Sequence, residues 1–202
     1  VEETVKLLRL YFSGQRFSYS GYFQSPSNAR LRCGNPPKIA VAALNEKMIK
    51  LAAKIADMVI LNLYPPGMIG EAKKVINETG RKPKLSVMLY AYVLGEGERE
   101  FNISRDLIAF YTSSEAYIKL FKRAGFGQEA ERAFRGWQER NRDAVRNAIT
   151  EEMVKTLMAY GDIKTLRERV KAYLDEGVDS VLIAPCPTGD YMENAKLIIE
   201  SF

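Results

Sequence analysis

Histidine is missing from all 202 residues. That absence excludes a Ser-His-Asp or Cys-His relay, a histidine general base and any histidine-ligated metal. Cysteine is nearly missing: Cys33 and Cys186 stand far apart and make neither a disulfide framework nor a zinc site, so no metal is expected. No apolar run reaches membrane-spanning length and no signal peptide opens the chain, so the expectation is a cytoplasmic protein without a membrane partner. Low-complexity tracts and linkers are missing too, which favours a single domain over residues 1–202.

What the chain has is an ordinary globular balance, 47% hydrophobic and 27% charged residues, enough for a substantial core. The net charge of +5 comes from 30 Lys and Arg against 25 Asp and Glu. A modest positive field favours anionic small molecules such as phosphorylated cofactors. Acidic residues are mixed among the basic ones, so a solvated surface is expected rather than a nucleic-acid partner.

The stretch KIAVAALNEKMIKLAAKIADMVILNL, Lys38–Leu63, organises the rest. Ile39–Leu44 has the length and composition of a buried parallel strand. Asn45 can cap a helix by accepting from a first-turn N–H. Met48, Leu51, Ala52 and Ile55 recur at helical spacing and predict its buried face. Asp57 breaks the pattern and Met58–Leu63 reads as a second strand. The unit is therefore βαβ, with the helix N-terminus at the carboxyl end of the sheet, where anions bind.

Around it, Glu2–Ser13 reads as an amphipathic helix and Arg16–Phe23 as a small strand or hairpin. Ser25–Pro37 reads as loop. Met68–Glu78 is a helix closed by Gly80, and Leu85–Leu94 is a third strand. From about residue 98 to 161 the pattern is helical only, too long for a simple crossover, and predicts a helical insertion at the carboxyl end of that strand. A helix capped by Asp162 and ended by Gly177 follows. Then come a fourth strand at Ser180–Ala184, a loop with Pro185, Pro187 and Gly189, and a helix over Tyr191–Phe202.

Four strand–helix units are half of a TIM (β/α)8 barrel, which typically needs ~250 residues. The segments IAVAALNEKMIKLAAKIADMVILNL, FYTSSEAYIKLFKRAGFG and RERVKAYLDEGVDSVLIAP, in this order, resemble the C-terminal portion of the luciferase-like oxidoreductases. The opening VEETVKLLRLYFSGQRFSYSGYF is similar to the family's fourth barrel helix and the extension after it. The branch most resembled contains the deazaflavin-dependent methylenetetrahydromethanopterin reductases. The resemblance implies an α/β fold of the luciferase-like TIM-barrel type, holding roughly the C-terminal half plus the insertion. It also implies an enzyme, a flavin- or deazaflavin-dependent oxidoreductase acting on a small-molecule substrate. The cofactor is then 8-hydroxy-5-deazaflavin (coenzyme F-420) or FMN, and an FMN monooxygenase or a non-catalytic flavin-binding protein are the alternatives.

Two departures from the family stand out. The turn after its fifth strand commonly reads Leu-Gly-Pro-Lys, whereas here it is Leu44-Asn45-Glu46-Lys47. The first barrel strands are absent, so either an upstream segment lies outside this sequence or another chain, in a homo-oligomer or as a missing N-terminal half, closes the barrel. By resemblance, Leu44, Asn45 and Lys47 meet the cofactor phosphate, through backbone N–H groups and the helix dipole. Asn62 and Leu63 approach the ring or its side chain. Tyr90 and Tyr92 sit near the end of the third strand on the same face, where their rings can wall the pocket, and core packing suits at least one of them. Cys186 lacks an activating base, which favours a structural role. Glu96, Glu98, Arg99 and Glu100 form a solvated charge run. A basic interaction module built on the Arg-rich stretch Glu129–Arg146 is the rival from another class.

Overall fold

Apolar strands lie side by side here because each is followed by a segment long enough to cross back over the sheet as helix. The computed structural model describes residues 1–32, 34–187 and 190–202; Cys33 and Gly189 lie outside the described residues. The strands are β1 (Ala40–Ala42), β2 (Met58–Asn62), β3 (Lys84–Tyr92), β4 (Ala159–Tyr160) and β5 (Ser180–Pro185). All pair in parallel. β2 lies between β1 and β3, in the register Ala40↔Met58 and Met58↔Lys84. β3 also pairs with β5 from Ser86↔Ser180 to Ala91↔Pro185, and at its last two residues with β4.

The helices are α1 (Glu2–Phe12), α2 (Glu46–Ile55), α3 (Ile69–Asn77), α4 (Glu98–Tyr111), α5 (Glu115–Arg123), α6 (Gly127–Gln138), α7 (Arg142–Ala148), α8 (Glu151–Leu157), α9 (Ile163–Asp175) and α10 (Tyr191–Ile199). One face of the sheet is covered by them. Val59, Leu61, Val87, Leu89 and Ala91 point that way and are buried. Alternation sends Ile60, Asn62, Met88 and Tyr90 to the other face, where they stay half-buried. Leu182, the register partner of Met88, remains 37% exposed on that face.

At the amino end, two aspartates fix the register. Ile39 N–H donates to Asp57 Oδ2 at 2.8 Å while Asp57 N–H donates to Ile39 O. Asp179 repeats the arrangement with Leu85, whose N–H reaches Asp179 Oδ2 at 2.7 Å. The Ile39 N–H, then Arg9, hold the Asp57 carboxyl below the ordinary range, against the opposing effect of burial. At the carboxyl end, buried Asn194 ties α10 to β3. It accepts from Val93 N–H at 3.0 Å and donates to Ala91 O at 2.9 Å.

Three details depart from the sequence reading. The α2 residues that bury fully are Ile49, Ala52 and Ala53, followed by Ala56 just past the helix, one position round from the expected line. Met48, Leu51 and Ile55 are half-buried; small alanines pack closest to the sheet, and the larger side chains flank them. No strand forms in Arg16–Phe23. That segment makes one isolated bridge, Phe17↔Ala29, and is held by the Glu3 carboxylate, which accepts from the N–H groups of Tyr22, Phe23 and Gln24. The helical stretch 98–161 contains β4, whose two residues are too few to show a strand period.

The insertion packs on itself. Trp137 Nε1 donates to Ala109 O at 3.2 Å and to Thr112 Oγ1 at 3.1 Å, which joins α6 to α4. A Cβ on Gly136 would come within 2.9 Å of Val145, so α6 and α7 approach where only glycine fits. The Arg-rich stretch is thus two helices with a turn at Arg140 (φ +54), and several of its charges are paired: Arg132 with Glu129, Arg146 with Asp106, and Glu131 with Lys122. That is the pattern of a folded hairpin rather than of one continuous basic surface.

Candidate functional site

A cleft of about 420 Å³ opens at the carboxyl ends of β1, β2 and β3. Its floor is apolar: Ala42, Ile60 and Met88 from the strands, with Met48 from α2. Its rim carries Leu44 and Asn45, from the turn entering α2. Its polar wall is Asn62, Tyr90, Tyr111 and Tyr117. This is the end of a parallel α/β sheet where loops and helix N-termini converge and ligands bind.

The α2 N-terminus is built as a capped helix start. Asn45 is extended (φ −114, ψ 162) and its side chain accepts from Met48 N–H at 3.0 Å. The cap leaves the Glu46 and Lys47 N–H groups without an acceptor among the described residues. These amides and the positive end of the helix dipole suit an anion. Any phosphate contact from this turn therefore falls to the backbone, because the Asn45 side chain is already used as the cap.

Past this turn the cleft joins a groove of about 520 Å³ that shares Leu44, Asn45 and Ala116 and runs over Glu46, Tyr64, Lys119 and Arg123. Arg123 bonds Glu71 and the Tyr64 hydroxyl (3.0 Å), with its guanidinium 5.8 Å from the Tyr64 ring centre. Lys119 has no ion-pair partner among the described residues.

The polar wall is a hydrogen-bonded set from four elements. Asn62 Nδ2, at the end of β2, donates to Tyr117 Oη of α5 at 2.7 Å. Tyr90 Oη, on β3, and Tyr111 Oη, at the end of α4, lie 2.5 Å apart. The Tyr111 and Tyr117 rings stand 4.5 Å apart and join the two pairs. Burial, then the Tyr111 hydroxyl, pushes the Tyr90 phenol up; burial also raises Tyr117, against the Asn62 bond. Both phenols are therefore protonated at neutral pH, fit to donate hydrogen bonds and not to act as bases.

Of the residues expected at the site, Leu44, Asn45, Asn62 and Tyr90 line the cleft. Lys47 is exposed on the first turn of α2 and does not line it. Leu63 is 1% exposed, packed in the core with φ +50. Tyr92 is fully buried, while Tyr90 reaches the cleft. Cys186 is buried and its thiol is pushed up to about 12, which keeps it protonated. In the charge run, Glu96 pairs with Lys155 and Arg99 with Asp190, at the surface. Tyr111 and Tyr117 were not among the expected site residues. Their only signal is the density of tyrosine in FYTSSEAYIKL, which reads equally well as helix core.

The residues fit a planar heteroaromatic group with an anionic tail. The apolar floor and tyrosine faces suit the ring, the free amides of α2 suit the anion, and the buried Asn62 Oδ1 has no donor among the described residues.

Known proteins share this architecture. The 5,10-methylenetetrahydromethanopterin reductase of Archaeoglobus fulgidus is 25% identical over 213 aligned residues, covering 98% of this chain and 63% of that protein. The coenzyme F-420-dependent tetrahydromethanopterin reductase of Methanopyrus kandleri superposes with a TM-score of 0.76 at 18% identity, over 96% of this chain and 59% of that one. An F-420-dependent secondary alcohol dehydrogenase superposes with a TM-score of 0.68 at 12% identity, over 100% of this chain and 59% of the other. The chain thus spans about three-fifths of the length of these relatives. The family model for luciferase-like monooxygenases matches residues 1–180, and the chain belongs to that family.

Proposed function

We propose that this chain is the cofactor-holding part of an oxidoreductase of the deazaflavin-dependent reductase branch, moving hydride between reduced 8-hydroxy-5-deazaflavin and a small organic substrate. The observation that carries the reading is the cleft at the carboxyl ends of β1–β3, running directly into the open amides of the α2 N-terminus. Two superposed deazaflavin enzymes, at TM-scores of 0.76 and 0.68, support this branch over the FMN-bound Baeyer–Villiger monooxygenase at 0.55.

In this reading the Glu46 and Lys47 amides hold the phosphate, and Lys119 faces the anionic tail as it leaves along the groove. Ala42, Ile60 and Met88 exclude water from one side of the ring. The tyrosines stay protonated and orient polar edges without exchanging protons. The cofactor supplies the hydride chemistry, so the absence of histidine is no obstacle. FMN is the second reading, favoured by the FMN complex among the superposed structures; it uses the same amides. Barrel closure against further strands, from another segment or another copy, belongs to the same proposal, since β1 and β5 each pair with one neighbour only among the described residues.

The test is the visible absorption spectrum of the purified chain after incubation with FMN or the deazaflavin and removal of excess. A retained flavin or deazaflavin band is expected. A colourless protein that retains neither contradicts the proposal. Substrate reduction under anaerobic conditions separates the reductase reading from the oxygen-dependent one.

A further inference from the structure

We infer that the Asn62–Tyr117 and Tyr90–Tyr111 pairs form a strip that reads the edge of a cyclic amide, a ring carbonyl beside a ring N–H, on a molecule seated in the cleft. The inference rests on the proposed function and deepens it, because two molecules in that reaction can carry such an edge: the cofactor ring and the substrate.

Tyr90 and Tyr111 have two hydroxyl hydrogens between them and share one bond, so one hydrogen is left over. Tyr117 accepts from Asn62 Nδ2, and its own hydrogen meets no acceptor among the described residues. Asn62 Oδ1 is buried and meets no donor there. All four residues line the same cleft. The wall therefore offers two O–H donors and one carbonyl acceptor. Leaving these unmet under a bound ligand is unfavourable, since each buried polar group without a partner forfeits its hydration.

An aliphatic ligand satisfies none of the three. A carboxylate or phosphate meets the two donors but faces Oδ1 with a second acceptor, and no Lys or Arg lines this cleft. A ring carbonyl with an adjacent N–H meets both kinds of group, and its flat ring can lie against the Tyr111 and Tyr117 faces. Asn62 and Tyr90 come from strands, whereas Tyr111 and Tyr117 come from the insertion. The strip is complete only when the insertion packs over the sheet. This gives the insertion a role in specificity: Tyr117 holds the Asn62 side chain at the wall of the cleft.

The test is a fluorescence titration of the 202-residue chain with FMN, with FMN methylated at the imide nitrogen, and with pterin-6-carboxylate, which carries a ring amide but no flavin. Wild type, Tyr117→Phe and Asn62→Leu are compared. If the strip reads the cofactor ring, imide methylation weakens binding to the wild type by about tenfold, one hydrogen bond's worth, and has no effect on Asn62→Leu. If it reads the substrate, FMN and its methylated form bind alike, and pterin-6-carboxylate binds the wild type about tenfold more tightly than either variant. FMN binding that ignores both the methyl group and the substitutions, together with a pterin that binds all three proteins equally or none, overturns the inference and leaves the proposed function standing. Failure of all three ligands to bind a wild type that retains the deazaflavin overturns the inference alone; failure of the deazaflavin to bind as well contradicts both. The methylated ligand probes the unaltered protein, so the result does not depend on either variant folding.

Discussion

At the amino end of the sheet, Asp57 and Asp179 each accept a hydrogen bond from the first residues of a neighbouring strand, and those backbone groups are satisfied within the chain. At the carboxyl end, the Glu46 and Lys47 amides, the spare tyrosine hydrogens and Asn62 Oδ1 are left open. The two ends share strands, and although Asn194 satisfies Val93 and Ala91 at the carboxyl end, the cleft beside it keeps polar groups unpaired. A satisfied end resists unfolding and has little to offer a ligand. An end with unmet groups gives up some stability and gains chemistry. This is the division between scaffold and site expected of parallel α/β barrels.

Substitutions at each end separate stability from binding. The largest effect on stability is expected from the double variant Asp57→Ala/Asp179→Ala. It leaves the Ile39 and Leu85 N–H groups without their carboxylates and lowers unfolding free energy by roughly 2–5 kcal/mol in urea titrations, while cofactor affinity per folded molecule is unchanged. A matching loss of affinity would show that the ends are not separable.

Asn45→Asp should do the opposite. Aspartate caps a helix as well as asparagine and favours the dipole, so the urea midpoint stays or rises slightly. The added charge beside the α2 amides weakens phosphate binding by about tenfold, read by equilibrium titration with FMN. Unchanged affinity would remove the phosphate from this turn.

The smallest effect is on pH dependence. The folded carboxyl of Asp57 titrates below its unfolded value, so its contribution is present above the unfolded pKa of about 3.9 and is lost as pH falls through the folded value. Urea midpoints measured through that acid window should fall less steeply for Asp57→Asn than for wild type. Parallel curves would mean that the Ile39 and Arg9 contacts do not couple to folding.

Local features were legible in the sequence, and assembled ones were not. The strands containing Val59 and Val87 announce themselves by apolar runs, and Asn45 by its place before a helical pattern. The α2 face was misplaced by one position because Ala53 and Ala56 carry little hydrophobic signal yet pack nearest the sheet. Asp57, visible only as a break in pattern, proves to be a register clamp. The wall of the cleft was hidden for a different reason. Asn62 meets Tyr117 across 55 residues, and Tyr90 meets Tyr111 across 21; no period or spacing rule links such pairs. Only the packing of the insertion brings them together.

The open amides of α2 are the proposed seat of the cofactor's anionic end. The deciding measurement is the ratio of the chain's affinities for FMN and for riboflavin, which differ by the phosphate alone, in wild type and in Asn45→Asp. Wild type is expected to bind FMN at least about tenfold more tightly than riboflavin, and Asn45→Asp to erase most of this ratio while leaving riboflavin binding unchanged. Equal affinities for the two ligands in the wild type, or a ratio that survives the substitution, would contradict that seat.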